Sequence, residues 1–179
     1  MKKAIYYIIL ALNLSACVEV HFGHPQPLDA KNETRFPVAW QGTYTDQDND
    51  TLTINAQSYS YGKGDSILSI SQGPEKLSDE LILRHFTDNT YFISGKNDSL
   101  WNVLMITERS KNSIDVSMIV VDEEKPTNIA AMKDITTVKE HFNSSGKLES
   151  YSVDPTAKEL DAMLKKKVFT KVARFKRIK

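Results

Sequence analysis

Two groups of side chains stand close enough along this chain to suggest chemistry. Asp46, Asp48 and Asp50 have the i, i+2, i+4 spacing with which an EF-hand loop begins to wrap calcium. Such a loop also needs glycine at its sixth position and glutamate at its twelfth. Here those positions hold Thr51 and Gln57, so the run reads as a solvated acidic turn. His21 and His24 offer two imidazoles, whereas a metal centre needs three or four ligands in fixed geometry. Serine is plentiful, yet the chain contains no Gly-x-Ser-x-Gly elbow, phosphate loop or dinucleotide fingerprint. No catalytic residue, metal or cofactor is expected, and the chain does not read as an enzyme. The remaining reactive group is Cys17, the only thiol. With no second cysteine to pair with, core packing must hold the fold.

Cys17 has a telling setting. It closes Leu14-Ser15-Ala16-Cys17, behind an apolar run from Ala4 to Leu14 and the basic start Met1-Lys2-Lys3. Charge, a short apolar stretch and small residues in that order make a secretory signal peptide. As a helix the run would rise about 16 Å, roughly half a bilayer's hydrocarbon core, so it is too short to span one. The four residues ending in Cys17 resemble the lipobox of bacterial lipoproteins. That resemblance implies removal of residues 1–16 and acylation of Cys17 with palmitate-type chains on glycerol and amine. Two or more such chains anchor a protein firmly. Val18 stands where proteins retained in the inner membrane often carry Asp, so the resemblance implies the outer membrane of the cell envelope.

Composition bounds the rest. Residues 17–179 fall within the usual size of one domain. The chain is 40% hydrophobic and 26% charged, which separates it from disordered sequences. Lys+Arg and Asp+Glu are equal at 23 each, and loss of Lys2 and Lys3 with the leader leaves a slight acidic excess. Nothing in that balance calls for a nucleic acid. The one asymmetry is the basic end, with Lys165, Lys166, Lys167, Lys171, Arg174, Lys176, Arg177 and Lys179. It reads either as a solvated helix end and edge strand or as a patch facing anionic lipid.

From Val18 to Pro37 no period survives among Pro25, Pro27, Pro37 and Gly23, so residues 17–37 read as the lipidated cysteine and a flexible tether. Residues 38–179 then read as one β-rich domain. Short alternations at 40–44 and 52–56 flank the turn Asp46–Asp50. Tyr59–Tyr61 and Ile67–Ser71 flank Gly62–Asp65, and further strands are expected at 81–86, 91–94, 101–107, 114–121, 135–142 and 148–153. Asp154 and Pro155 open one helix, about 155–166, with Leu160, Met163 and Leu164 on its apolar stripe. A last strand follows from Val168 to Ile178. The fold class expected is mainly β: an antiparallel β-barrel or sandwich of about 8–10 strands with that one late helix.

Trp40-Gln41-Gly42-Thr43-Tyr44 resembles the Gly-x-Trp/Tyr signature opening the first strand of lipocalin-like and other calycin barrels. The resemblance implies an inward set of Trp40, Tyr44, Leu52, Ile54, Trp101, Val103 and Met105 as a candidate ligand pocket. Two functions are carried forward. The first is a non-enzymatic envelope module, held by the membrane through its lipid, that binds an envelope protein or anionic lipid or supports an assembly. The alternative is a lipocalin-like carrier of a small apolar ligand. Oligomeric state is not legible.

Overall fold

The computed structural model describes residues 18–62, 74–121 and 127–178. Cys17 with its leader, the strand expected at Ile67–Ser71 and Lys179 lie outside the described residues. The strands in order are β1 (Glu19–Phe22), β2 (Gly42–Thr45), β3 (Thr51–Ile54), β4 (Ser58–Gly62), β5 (Glu75–Lys76) and β6 (Leu81–Thr87). They continue with β7 (Thr90–Asn97), β8 (Leu100–Ser110), β9 (Ser113–Met118), β10 (Val138–Phe142), β11 (Leu148–Val153) and β12 (Thr170–Arg177). Helix α1 (Thr127–Lys133) precedes β10, and α2 (Ala157–Lys165) precedes β12.

The mainly β expectation holds, with a helix before the last strand. The architecture is one open mixed sheet of 12 strands, and a second short helix, α1, joins the expected one. The sheet is not purely antiparallel because β1 lies parallel to β11, from Glu19 opposite Ser150 to Phe22 opposite Val153. Strand β8 organises it. One edge pairs with β7 along its length. The other edge is shared by β9, against residues 105–110, and by β1, at Phe22 opposite Trp101. From β9 the sheet runs on through β12, β2, β3, β4 and β5. Asp and Asn make its tight hairpins, with Asp88 and Asp98 at φ of 41° and 53°, a region those short polar side chains tolerate.

Residues 18–37 are not a tether. Val18 and Phe22 are buried at 7% and 1% exposure, and β1 inserts between β8 and β11. The following loop is pinned by Arg84 on β6. Its Nη1 donates to the carbonyls of Pro25, Pro27 and Leu28 at 2.7, 2.8 and 3.0 Å, and its Nε donates to Asn32 Oδ1 at 2.8 Å. Glu33 N–H then donates to the Leu83 carbonyl, and Phe36 N–H to the Ala56 carbonyl, both at 2.8 Å. The stretch 32–36 therefore crosses from β6 to the turn between β3 and β4. Prolines erase the periodicity of this segment by removing N–H groups, while a guanidinium supplies the bonds they cannot.

The sheet has apolar residues on both faces of β6, β7 and β8, and a core lies on each. Phe92, Trp101, Val103, Tyr151 and Val153 pack with Ile129 and Met132 of α1 and Leu160 and Met163 of α2. Trp40, Tyr44, Leu52, Ile54, Tyr59, Leu83, Ile93, Ile114, Val116 and Phe175 form the other core. Each fully buried side chain of this size stabilises by about 1.5–3 kcal/mol. Helix α2 begins two residues later than expected, at Ala157. Thr156 caps it, its hydroxyl accepting from Glu159 N–H at 3.3 Å while Glu159 Oε2 accepts from Thr156 N–H at 2.8 Å. Asp154 is released to bond His24 instead. The helix ends in a Schellman turn: Val168 N–H donates to the Met163 carbonyl, and Lys167 N–H to the Leu164 carbonyl, each at 3.0 Å. Lys167 takes the left-handed position at φ 56°.

Candidate functional site

The second core does not close on itself. Between the Asp46–Asp50 turn, β3 and β4 on one side and β7, β8, β9 and β12 on the other lies a cavity of about 170 Å³. Its wall is built by alternation. Leu52 and Ile54 of β3, Tyr59 and Tyr61 of β4, Ile114 and Val116 of β9, and Leu104 and Ile106 of β8 present every second residue inward. Phe36, Trp40, Ile93, Val172, Ala173 and Phe175 complete the apolar lining. An apolar cavity of about 150 Å³ stays dry and takes benzene, so this one matches a single ring or a short aliphatic body.

The candidate residues divide. Trp40, Leu52 and Ile54 line the cavity, and Tyr44 is buried in the same core at 1% exposure without reaching the lining. Trp101, Val103 and Met105 do not line it. They point to the opposite face, toward α1 and α2. A strand with apolar residues at both parities carries no internal mark of which face is which, and a one-residue error flips the whole set. On β8 the lining residues are instead Leu104 and Ile106, and Tyr59, Tyr61, Ile93, Ile114, Val116 and Phe175 are further lining residues outside the expected set. The register of β8 on β7, with Ile93 opposite Leu104 and Tyr91 opposite Ile106, places the β8 pair.

The two ends of the cavity differ in chemistry. At the Trp40 end a polar clamp locks the wall. Arg177 of β12 donates to the carbonyls of Ala39 and Gln41 and, at 2.5 Å, to Tyr44 Oη. Its guanidinium also lies 4.8 Å from the centre of the Tyr44 ring. The Tyr44 hydroxyl in turn donates to the Trp40 carbonyl at 2.8 Å, and Trp40 Nε1 donates to Glu108 Oε2 at 2.9 Å. Burial, opposed by Arg177, raises the Tyr44 hydroxyl, which stays protonated as this relay requires. The Trp40 ring meets Tyr91 edge on at 4.7 Å.

At the other end of β2 and β3 sits the turn Asp46–Asp50, where all three aspartates reach the lining. Asp46 Oδ1 accepts from the N–H groups of Asp48 and Asp50 at 3.0 and 2.9 Å, which closes the turn. Asp50 Oδ2 accepts from the Tyr61 hydroxyl at 2.6 Å. Burial first, then the Asp50 hydrogen bond and the charges of Asp50, Asp46 and Asp48, push the Tyr61 hydroxyl up. Among the described residues no three acidic, histidine or cysteine side chains converge to hold a metal ion.

The other sites of possible chemistry are engaged in structure. His21 Nδ1 meets Asn102 Oδ1 at 2.8 Å, with Glu19 3.4 Å from Nε2, and His24 Nδ1 meets Asp154 at 2.6 Å. His141 Nε2 and Ser152 Oγ, 2.7 Å apart, tie edge strand β10 to β11. Of the basic end, Arg174 grips Asp115 through two bonds at 2.6 and 2.9 Å, Arg177 serves the clamp and Lys165 pairs with Asp161. Lys166, Lys167, Lys171 and Lys176 remain exposed.

The chain matches no protein-family model, no curated protein and no solved structure. What it does must therefore be argued from its own residues.

Proposed function

We propose that this protein is a lipid-anchored binding module of the bacterial cell envelope, non-enzymatic, whose domain carries a small apolar ligand. The observation that carries the reading is the cavity of about 170 Å³ between β3–β4 and β7–β9 with β12. A protein of this size fills its core to crystal-like density, so an apolar void open to entry is the place where a ligand gains contacts that the protein has left unmade. The Trp40–Tyr44 stretch supports the carrier reading, since Trp40 belongs to the lining. Leu14-Ser15-Ala16-Cys17 supports the anchor.

Native mass spectrometry on the full chain, extracted gently from its host, tests both parts. An acylated Cys17 with a retained small molecule is the expected result. A mass without acyl chains refutes the anchor, and a clean unliganded mass that stays unchanged with added apolar probes refutes the carrier. A second reading, contact with an anionic membrane surface, draws on the exposed Lys166, Lys167, Lys171 and Lys176. It requires binding to anionic vesicles that weakens with salt and with replacement of these lysines.

A further inference from the structure

We infer that the cavity takes a small organic cation, with an apolar body against Leu104, Ile114 and Phe175 and an ammonium group at the Asp46–Asp50 turn. This rests on the carrier reading above and adds the chemical class of the ligand. Three observations lead to it. The wall is apolar from β3 round to β12, which sets the body. Among the described residues the only charged side chains in the lining are Asp46, Asp48 and Asp50, and all sit at one end. Finally, Asp48 is exposed and its carboxylate has no partner among the described residues, whereas Trp40 and Phe36 at the far end are buried at 1% and 3%. The acidic end is thus the wet one.

The Tyr61 hydroxyl lies within the field of these carboxylates. Burial first, then the Asp50 hydrogen bond and the charges of Asp50, Asp46 and Asp48, oppose formation of a phenolate there. A potential that resists a negative charge welcomes a positive one. Because the mouth stays hydrated, the ammonium keeps part of its water and avoids the cost of full burial. A carboxylate-headed ligand of the same body meets repulsion at the same place. The metal alternative fails on geometry, since two of the three aspartates already accept bonds from the turn N–H groups and from Tyr61, and the three do not converge.

The test uses three probes with one body and different heads: 2-phenylethylamine, 2-phenylethanol and 3-phenylpropanoate. Methyl NMR on the full-length protein in mild detergent reads their affinities at Leu104, Ile106 and Ile114, with detergent alone as blank. The amine is expected to bind about tenfold tighter than the alcohol, and the carboxylate weakest. Asp48→Asn should cut the amine's affinity about three- to fivefold and leave the alcohol's unchanged, the size of one unit charge at 4–6 Å in nearly aqueous surroundings. Salt should narrow the gap between amine and alcohol. Equal binding of amine and alcohol overturns the cation inference and leaves the carrier reading standing. No shift of the lining methyls with any probe, in wild type and in Leu104→Trp alike, overturns both.

Discussion

Replacing Arg84 by Met tests whether residues 25–36 are part of the domain. The side chain keeps its apolar stem and length and loses every donor. Arg84 serves three carbonyls through Nη1 and Asn32 through Nε. One Nη carries two hydrogens, so the four contacts amount to about three full hydrogen bonds. Bonds from a charged donor contribute about 1.5–3 kcal/mol each, and the site is half-exposed, so water recovers part of the loss. A cost of about 3 kcal/mol follows, a large share of the 5–15 kcal/mol typical of a domain. With a urea m-value of about 2 kcal/mol/M, the midpoint should fall by about 1.5 M. Lys31 and Arg35 are exposed in the pinned loop and give a local readout. Trypsin should cut there in Arg84→Met well below the urea concentration of global unfolding. Arg84→Lys, which keeps charge without the planar fork, should fall between the two. A midpoint within about 0.3 M of wild type and unchanged cleavage at Lys31 would refute the clamp.

Three other outcomes are expected. The Asp115 carboxyl is held below the usual range by its hydrogen bonds from Arg174, against its burial and with the charges of Arg174, Lys171 and Arg109. Its stabilisation is therefore complete above the unfolded value of about 3.9 and lost as pH falls through the lower folded value. Asp115→Asn should cost about 1–2 kcal/mol at neutral pH, its exposed arginine partners limiting the loss, with the gap to wild type closing below about pH 4 in chemical denaturation. Lys167→Gly should stabilise by about 0.5–1 kcal/mol, because glycine adopts the left-handed position without Cβ strain; thermal unfolding reads it. Leu104→Trp should block 2-phenylethanol binding, while Met105→Ala, on the opposite face of β8, should leave its affinity unchanged. Equal effects of the two on binding would mean that the register of β8 is wrong.

Much of this fold was legible wherever the information is local. The Asp46–Asp50 turn and the stripe Leu160–Met163–Leu164 carry their structure in neighbouring residues, whereas β7 runs on to Asn97, past its expected end at 94. β1 could not be read that way. It has four residues, its periodicity is cut by Gly23 and Pro25, and its partners in β11 and β8 lie far along the chain. The Arg84 clamp joins positions 52–59 apart, and nothing near Arg84 announces it. The cavity was half legible for a different reason. In β3 a strict alternation identifies Leu52 and Ile54 as inward. In β8, Trp101 to Ile106 is apolar at both parities because the strand separates two cores, so only the partner strands decide the face.

The placement of β1 changes what the proposed anchor does. A flexible segment of about 20 residues would hold the domain some 25 Å from the headgroups. Instead Val18, the residue after Cys17, is already buried, and Glu19 is paired with β11 in the middle of the sheet. Two extended residues reach only about 7 Å. Under the proposed anchoring the domain thus lies against the bilayer, oriented by the sheet itself rather than free to swing. The β10–β11 hairpin lies at the same end of β11 as the start of β1, two strands from it, with Phe142 58% exposed and Lys147 exposed. At about 4.8 Å per strand, that aromatic ring stands about 10 Å from the anchor's exit. An aromatic and a lysine at that distance suit the headgroup layer, where one end is apolar and the other wet.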